Sequence, residues 1–125
     1  MIISESMEKD YQVRFTDGKN TAVSDTTPEH GGGGEGFGPH ELLEAALGNC
    51  IAIVTRMSAR KHGIPLEGVT VKVTLNRDDP AKAVFEYSVE FTGDLDAPTR
   101  DKLLRVAKSC PVHKTLLRQL EFMQV

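Results

Sequence analysis

The sequence predicts an α+β fold in which helices cover antiparallel strands. Three observations carry that prediction: two period-two apolar segments joined by a short polar loop, an apolar stretch of helix length around Cys50, and an alternating N-terminal segment broken by Asp17-Gly18. At 125 residues the chain is long enough to bury one core and too short for two, so a single domain over 1–125 is expected.

The elements follow in order. Tyr11, Val13 and Phe15 alternate with polar neighbours, Asp17-Gly18 is a strong turn signal, and Ala22-Val23 begin the return, which predicts a hairpin over 11–24. The segment His30-Gly-Gly-Gly-Gly-Glu-Gly-Phe-Gly38 is too rich in permissive residues to hold a regular element, so 30–38 reads as a mobile loop. A phosphate cradle is the other use of such a loop, but neither a leading strand nor a following Lys-Ser or Lys-Thr is present. Pro39 suits a first helical position, and Arg56, Arg60, Lys61, Gly63 and Pro65 mark an ending, giving a cysteine helix over 39–62. Apolar residues lie all round its Leu42 to Val54 part, which predicts a helix buried in the interior. Its length of about 36 Å exceeds the needs of a small domain and suggests packing against a second chain. Val69, Val71, Val73 and Leu75, then Phe85, Tyr87, Val89 and Phe91, each alternate with polar residues, giving a strand pair over 68–92. Asp96 and Pro98 open a helix with a Leu103, Leu104, Val106, Ala107 and Cys110 stripe. Pro111 breaks it and starts a second, so helices are expected over 97–120, followed by a closing strand over 121–125.

Composition narrows the function. A net charge of −3 with scattered Lys and Arg gives no electrostatic case for nucleic acid. No apolar run approaches the roughly 18 residues of a membrane span, and Met1-Ile-Ile-Ser-Glu5 turns polar at once, unlike a signal peptide. The expectation is a cytoplasmic protein, where disulfides are rarely structural. Cys50 and Cys110 are then inert buried thiols, metal ligands or redox groups. Cys50 lies well inside an apolar helix and by itself reads as a core thiol. Cys110 stands at a helix start, where unpaired N–H groups favour thiolate, so local reasoning names it the more reactive. Cys110-Pro-Val-His113 has a metal-like spacing, with His40, Glu41 and Cys50 as possible additions. No second such pair exists, however, and neither metal nor cofactor is expected. A Cys–His hydrolase would need a local signature that the chain lacks.

Two motifs carry a resemblance. Gly38-Pro-His-Glu-Leu-Leu-Glu-Ala-Ala-Leu-Gly-Asn-Cys50 resembles the buried-helix motif of the OsmC/Ohr family of osmotically inducible and organic hydroperoxide resistance proteins. Ser109-Cys-Pro-Val-His-Lys-Thr115 is similar to its second motif, and the element order agrees over nearly the whole chain, closest to the OsmC-like branch. The resemblance implies an OsmC-like fold: antiparallel sheets with a long central cysteine helix, in a domain-swapped homodimer. It also implies a thiol-dependent peroxidase acting on organic hydroperoxides, with Cys50 attacking first, Cys110 resolving the sulfenic acid to a disulfide, and an external dithiol restoring both. Here it overrules the local preference for Cys110.

In the family an Arg of the N-terminal hairpin and a Glu at the start of the cysteine helix activate the thiolate. Aligned on Pro39, His40 stands at the Glu position and Glu41 one residue on, about 100° round the helix. Aligned on Asp17-Gly18, Thr16 stands where the Arg would be, and Arg14 is two residues earlier on the same strand face. Arg14, His40 and Glu41 are therefore the candidate activators. The alternatives to a peroxidase are a redox-sensing or small-molecule-binding module of the same fold, favoured by the displaced activators, and a purely structural dimer.

Overall fold

A computed structural model describes all of residues 1–125, and the chain divides into two compact units, Met1–Leu43 and Glu44–Val125. The first unit is built on a three-stranded antiparallel sheet of order β1 (Ile3–Ser6), β2 (Val13–Thr16) and β3 (Thr21–Ser24). The turn between β2 and β3 is closed by the Asp17 carboxylate. It accepts the Asn20 and Lys19 amides at 2.7 and 2.8 Å, and these bonds, Asn20 first, lower its pKa to about 2. β1 has no counterpart in the sequence reading. All its residues are exposed, so it carries no apolar alternation and is held by pairing Ile3 with Thr16 through Ser6 with Val13.

The glycine-rich segment, expected to be a mobile loop, holds no strand or helix after the short Pro28–His30 turn and is tied down by hydrogen bonds. Asp25 is the reason. Its buried carboxylate accepts the Thr26 amide at 2.7 Å and the Glu35 amide at 3.1 Å, while the Gly32 and Gly34 amides donate to the Thr27 and Thr26 carbonyls. The Glu35 bond is the largest of the causes holding the Asp25 carboxyl below its usual pKa.

α1 (Pro39–Lys61) is 23 residues, about 35 Å long. Gly38 precedes it, and the Glu41 carboxylate reaches back to accept the Gly38 amide at 3.0 Å, satisfying one of the amides that a helix start leaves open. At its end Gly63, at φ 63°, adopts the left-handed cap; the Ile64 and Gly63 amides return to the Ala59 and Arg60 carbonyls.

The second unit is a long antiparallel ribbon, β4 (Leu66–Asn76) and β5 (Val84–Gly93), with helices laid on its apolar face. The register sets Val69 opposite Phe91, Val71 opposite Val89, Val73 opposite Tyr87 and Leu75 opposite Phe85, so the apolar set of each strand meets that of the other. α1 covers this face with Leu47, Ile51, Thr55 and Ala59, one residue every four. Thr55 is tolerated there because its buried hydroxyl donates to the Ile51 carbonyl at 2.7 Å. Gly48 lets helix and strand approach: a Cβ there would stand 3.3 Å from Val73 Cγ2. The Glu44 carboxylate adds a tie, accepting the Leu75 amide at 2.7 Å.

α2 (Ala97–Ala107) is capped by the Asp96 side chain, which accepts the Thr99 amide at 2.9 Å, and it drives Leu103 and Ala107 into the core. α3 (Pro111–Leu116) follows after Cys110.

Three expectations need correction. The cysteine helix is not buried all round within the chain, since only its one stripe is enclosed and Ile53 and Met57 stay 58% and 66% exposed. Its apolar content also reaches the length of a membrane span, with a mean hydropathy of 1.3 over 18 residues, contrary to the sequence reading. The buried stripe is nevertheless spent on the β4–β5 ribbon. Finally, α3 stops at Leu116 and no strand closes the chain, because the residues beyond find no face to pack on: Leu117 is 75% and Phe122 95% exposed.

A test of the helix–ribbon contact is size at position 48. Gly48→Ala gains about 1 kcal/mol of helix propensity against a tight contact and is expected to leave the melting temperature near that of wild type. Gly48→Leu is expected to lose about 1–3 kcal/mol in chemical denaturation by pushing α1 off β4.

Candidate functional site

Cys110 is placed by the break between α2 and α3. Pro111 has no amide to continue α2, so the chain turns and Cys110 becomes the cap of the next helix, at φ −64° and ψ 147°. Its Sγ accepts the His113 amide at 3.3 Å. The side chain is fully buried, in a cluster with Leu47, Ile51 and Ala107.

Cys50 sits on α1, half-buried, and packs against the same cluster. The two side chains thus share one core cluster, and both are free thiols. The Cys110 thiol has its pKa raised, by burial first and by the neighbouring Cys50, against the opposing His113 amide. This corrects the local sequence argument: a helix-start amide favours thiolate at Cys110, but desolvation outweighs it. The half-exposed thiol is Cys50.

His113, third residue of α3, turns its ring toward β5. The ring meets Tyr87 edge-on, with centroids 6.3 Å apart and planes at 74°, and its Nδ1 is enclosed without a hydrogen-bond partner. No three His, Cys, Asp or Glu side chains converge as metal ligands would.

The candidate activators lie in the first unit, whereas both cysteines lie in the second. Within its unit Arg14 pairs with Glu5 at 2.6 Å across β1 and β2, with both side chains more than half exposed. Glu41 is engaged as the cap of α1, and His40 is exposed in its first turn. His30 and His62 are exposed, each bonding close by in sequence, to Thr27 and Ser58.

Glu44 escaped the sequence reading, and His113 was read only for its spacing from Cys110. Glu44 anchors β4, and its signal was a lone carboxylate within an apolar helix. The enclosed nitrogen of His113 had no signal, because burial of one ring atom depends on where β5 delivers Tyr87.

An apolar groove of about 470 Å³, lined by Ala52, Ile53, Met57 and Val69 with Arg56 at its side, runs along the exposed face of α1 one turn beyond Cys50.

Residues 32–123 match the family model described as OsmC-like protein. No curated protein sequence matches the chain. Among solved structures, a Psychrobacter arcticus protein named for osmotic stress induction and a detoxification response is 26% identical, with TM-score 0.74 over 90% of this chain and 85% of that one. An OsmC-like protein of Mycoplasma pneumoniae is 21% identical, with TM-score 0.72 over 93% and 85%. An organic hydroperoxide resistance protein of Legionella pneumophila is 22% identical, with TM-score 0.64 over 94% and 88%.

The unequal burial of the two thiols is testable by limiting alkylation of the reduced protein at neutral pH. Mass mapping is expected to find Cys50 modified well before Cys110, and urea is expected to abolish the difference.

Proposed function

This chain belongs to the OsmC-like protein family, and from that premise we propose that it is a thiol-dependent peroxidase reducing organic hydroperoxides. The observation that carries the proposal is the pairing of a half-exposed Cys50 with a sealed Cys110 in one core cluster. The accessible thiol can meet a peroxide and the enclosed one can only meet its neighbour.

In the proposed cycle the Cys50 thiolate attacks one oxygen of the hydroperoxide. The O–O bond breaks, the alkoxide leaves as alcohol on taking a proton, and Cys50 carries the sulfenic acid. Cys110 then attacks the Cys50 sulfur. The S–S bond forms, the S–O bond breaks, and the oxygen departs as water with the Cys110 proton. An external dithiol reduces the disulfide.

We place this chemistry in a cytoplasmic homodimer, with residues 1–125 acting as one domain whose elements are exchanged between protomers. Ala46, Ile53 and Met57 are exposed at intervals of seven and four along the less buried side of α1, the spacing of a helix–helix seam. A second copy of α1 is the natural cover. In that assembly Arg14, His40 or Glu41 supplies the charge that stabilises the Cys50 thiolate. The engagement of Arg14 with Glu5 and of Glu41 with Gly38 favours a second reading, a redox-sensing or ligand-binding module whose thiols oxidise without turnover.

Reduced protein mixed with cumene hydroperoxide is expected to form the Cys50–Cys110 disulfide by mass, faster than with hydrogen peroxide. Cys50→Ser abolishes consumption and Cys110→Ser accumulates sulfenic acid. Disulfide formation without repeated turnover under excess dithiol would select the sensor reading. The seam is tested separately: Ile53→Asp is expected to shift the protein from dimer to monomer in sedimentation equilibrium, where wild type remains dimeric.

A further inference from the structure

A disulfide between Cys50 and Cys110 would offer its reductant two sulfurs. Thiol–disulfide exchange joins a thiolate to one of them and expels the other, and both access and the acidity of the departing thiol bear on the choice. Here the two effects point opposite ways. Cys110 is 0% exposed, in the cluster of Leu47, Ile51 and Ala107, whereas Cys50 is half-buried and packs against that cluster from outside it. Burial pushes the Cys110 thiol up, against the His113 amide that its Sγ accepts at 3.3 Å, and so makes it the poorer leaving group. Access decides. An attacking sulfur must approach in line with the S–S bond, from the side away from the atom that leaves. A line from an enclosed sulfur to a half-exposed one runs outward, and on the helix face of Cys50 the neighbours Ala46 and Ile53 are both exposed. The opposite approach, to Cys110, requires lifting α3, whose Val112 packs on the same cluster.

We infer that the external thiol attacks the Cys50 sulfur of the disulfide and that Cys110 is expelled inward, toward the His113 amide. The reductant's thiolate bonds to Cys50 Sγ as the Cys50–Cys110 bond breaks. The electron pair goes to Cys110 Sγ, which accepts the His113 amide and then takes up a proton lost by the reductant, the form that burial favours. The second thiol of a dithiol attacks the reductant's own sulfur in the mixed disulfide, releases Cys50 and carries the disulfide away. Two electrons pass from the dithiol to the cysteine pair, and α3 stays docked throughout. In the homodimer the opening that admits a hydroperoxide to Cys50 admits the reductant as well.

The inference rests on the peroxidase reading for its cycle but is tested apart from it, because the disulfide can be made with diamide instead of peroxide. The oxidised protein is freed of diamide, exposed briefly to mercaptoethanol and quenched into acidic denaturant containing maleimide, and its peptides are mapped by mass. At the earliest times the mercaptoethanol adduct is expected on Cys50 and the maleimide on Cys110, at least about tenfold over the reverse arrangement. An adduct on Cys110 or an even division overturns the inference, and so does failure of diamide to join the two cysteines in the native protein. A second measurement needs no trapping. Attack at Cys50 requires no opening, so the reduction rate is expected to hold within about twofold from buffer to urea concentrations below the unfolding transition. A rate that climbs steeply over that range shows Cys110 being reached through an undocked α3 and likewise overturns the inference. In a parallel arm the reduced protein meets cumene hydroperoxide. If no sulfenic acid forms there, the peroxidase reading fails, while the diamide-made disulfide still decides which sulfur is attacked.

Discussion

A ribbon of two strands has no interior, and β4 with β5 becomes a stable element only where something covers its apolar face. That cover is the Leu47, Ile51, Thr55 and Ala59 stripe of α1, drawn close by the missing side chain of Gly48 and pinned by Glu44 on the Leu75 amide. Other placements in the second unit follow from this contact. Leu103 and Ala107 of α2 fill the remaining flank, and α3 begins where that flank ends.

The same contact decides what each cysteine can do. A helix that lays one stripe on a sheet turns its neighbouring positions part-way outward, and Cys50, adjacent to Ile51, is such a position. Cys110 arrives from a different element and is pressed beneath it. The thiols therefore differ in access although they share one cluster, and the difference comes from packing geometry rather than from the residue type. Helix-start amides, which a local reading credits to Cys110, are present at 3.3 Å but are opposed by burial.

Much of this was legible before the structure. The β4–β5 alternation, the Asp17 turn and the Asp96 cap are local signals, and local physics forms them. Gly63 announced the end of α1 because few residues but glycine take that backbone conformation comfortably. What was illegible depended on partners distant in sequence. β1 carries no alternation and exists by pairing with β2. The glycine segment looked unstructured until a buried Asp25 supplied its acceptors. The burial of α1 was overread, because apolar residues on all sides can mean a core or a core plus an uncovered face, and periodicity does not separate the two. The cysteines were found by type and by resemblance; their meeting in one core cluster required the fold.

The ribbon has a further consequence, for how the chain stays dispersed. With only two strands, both of its edges are open in the single chain, and each presents a row of unpaired backbone groups that another strand could join. What stands against such joining is the outward face, where Glu67, Lys72, Glu86 and Glu90 put charge at alternate positions and a bulge at Glu67 interrupts the register of β4. These exposed residues, remote from any chemistry at sulfur, are the chain's guard against ordered aggregation while it waits for its edges to be covered.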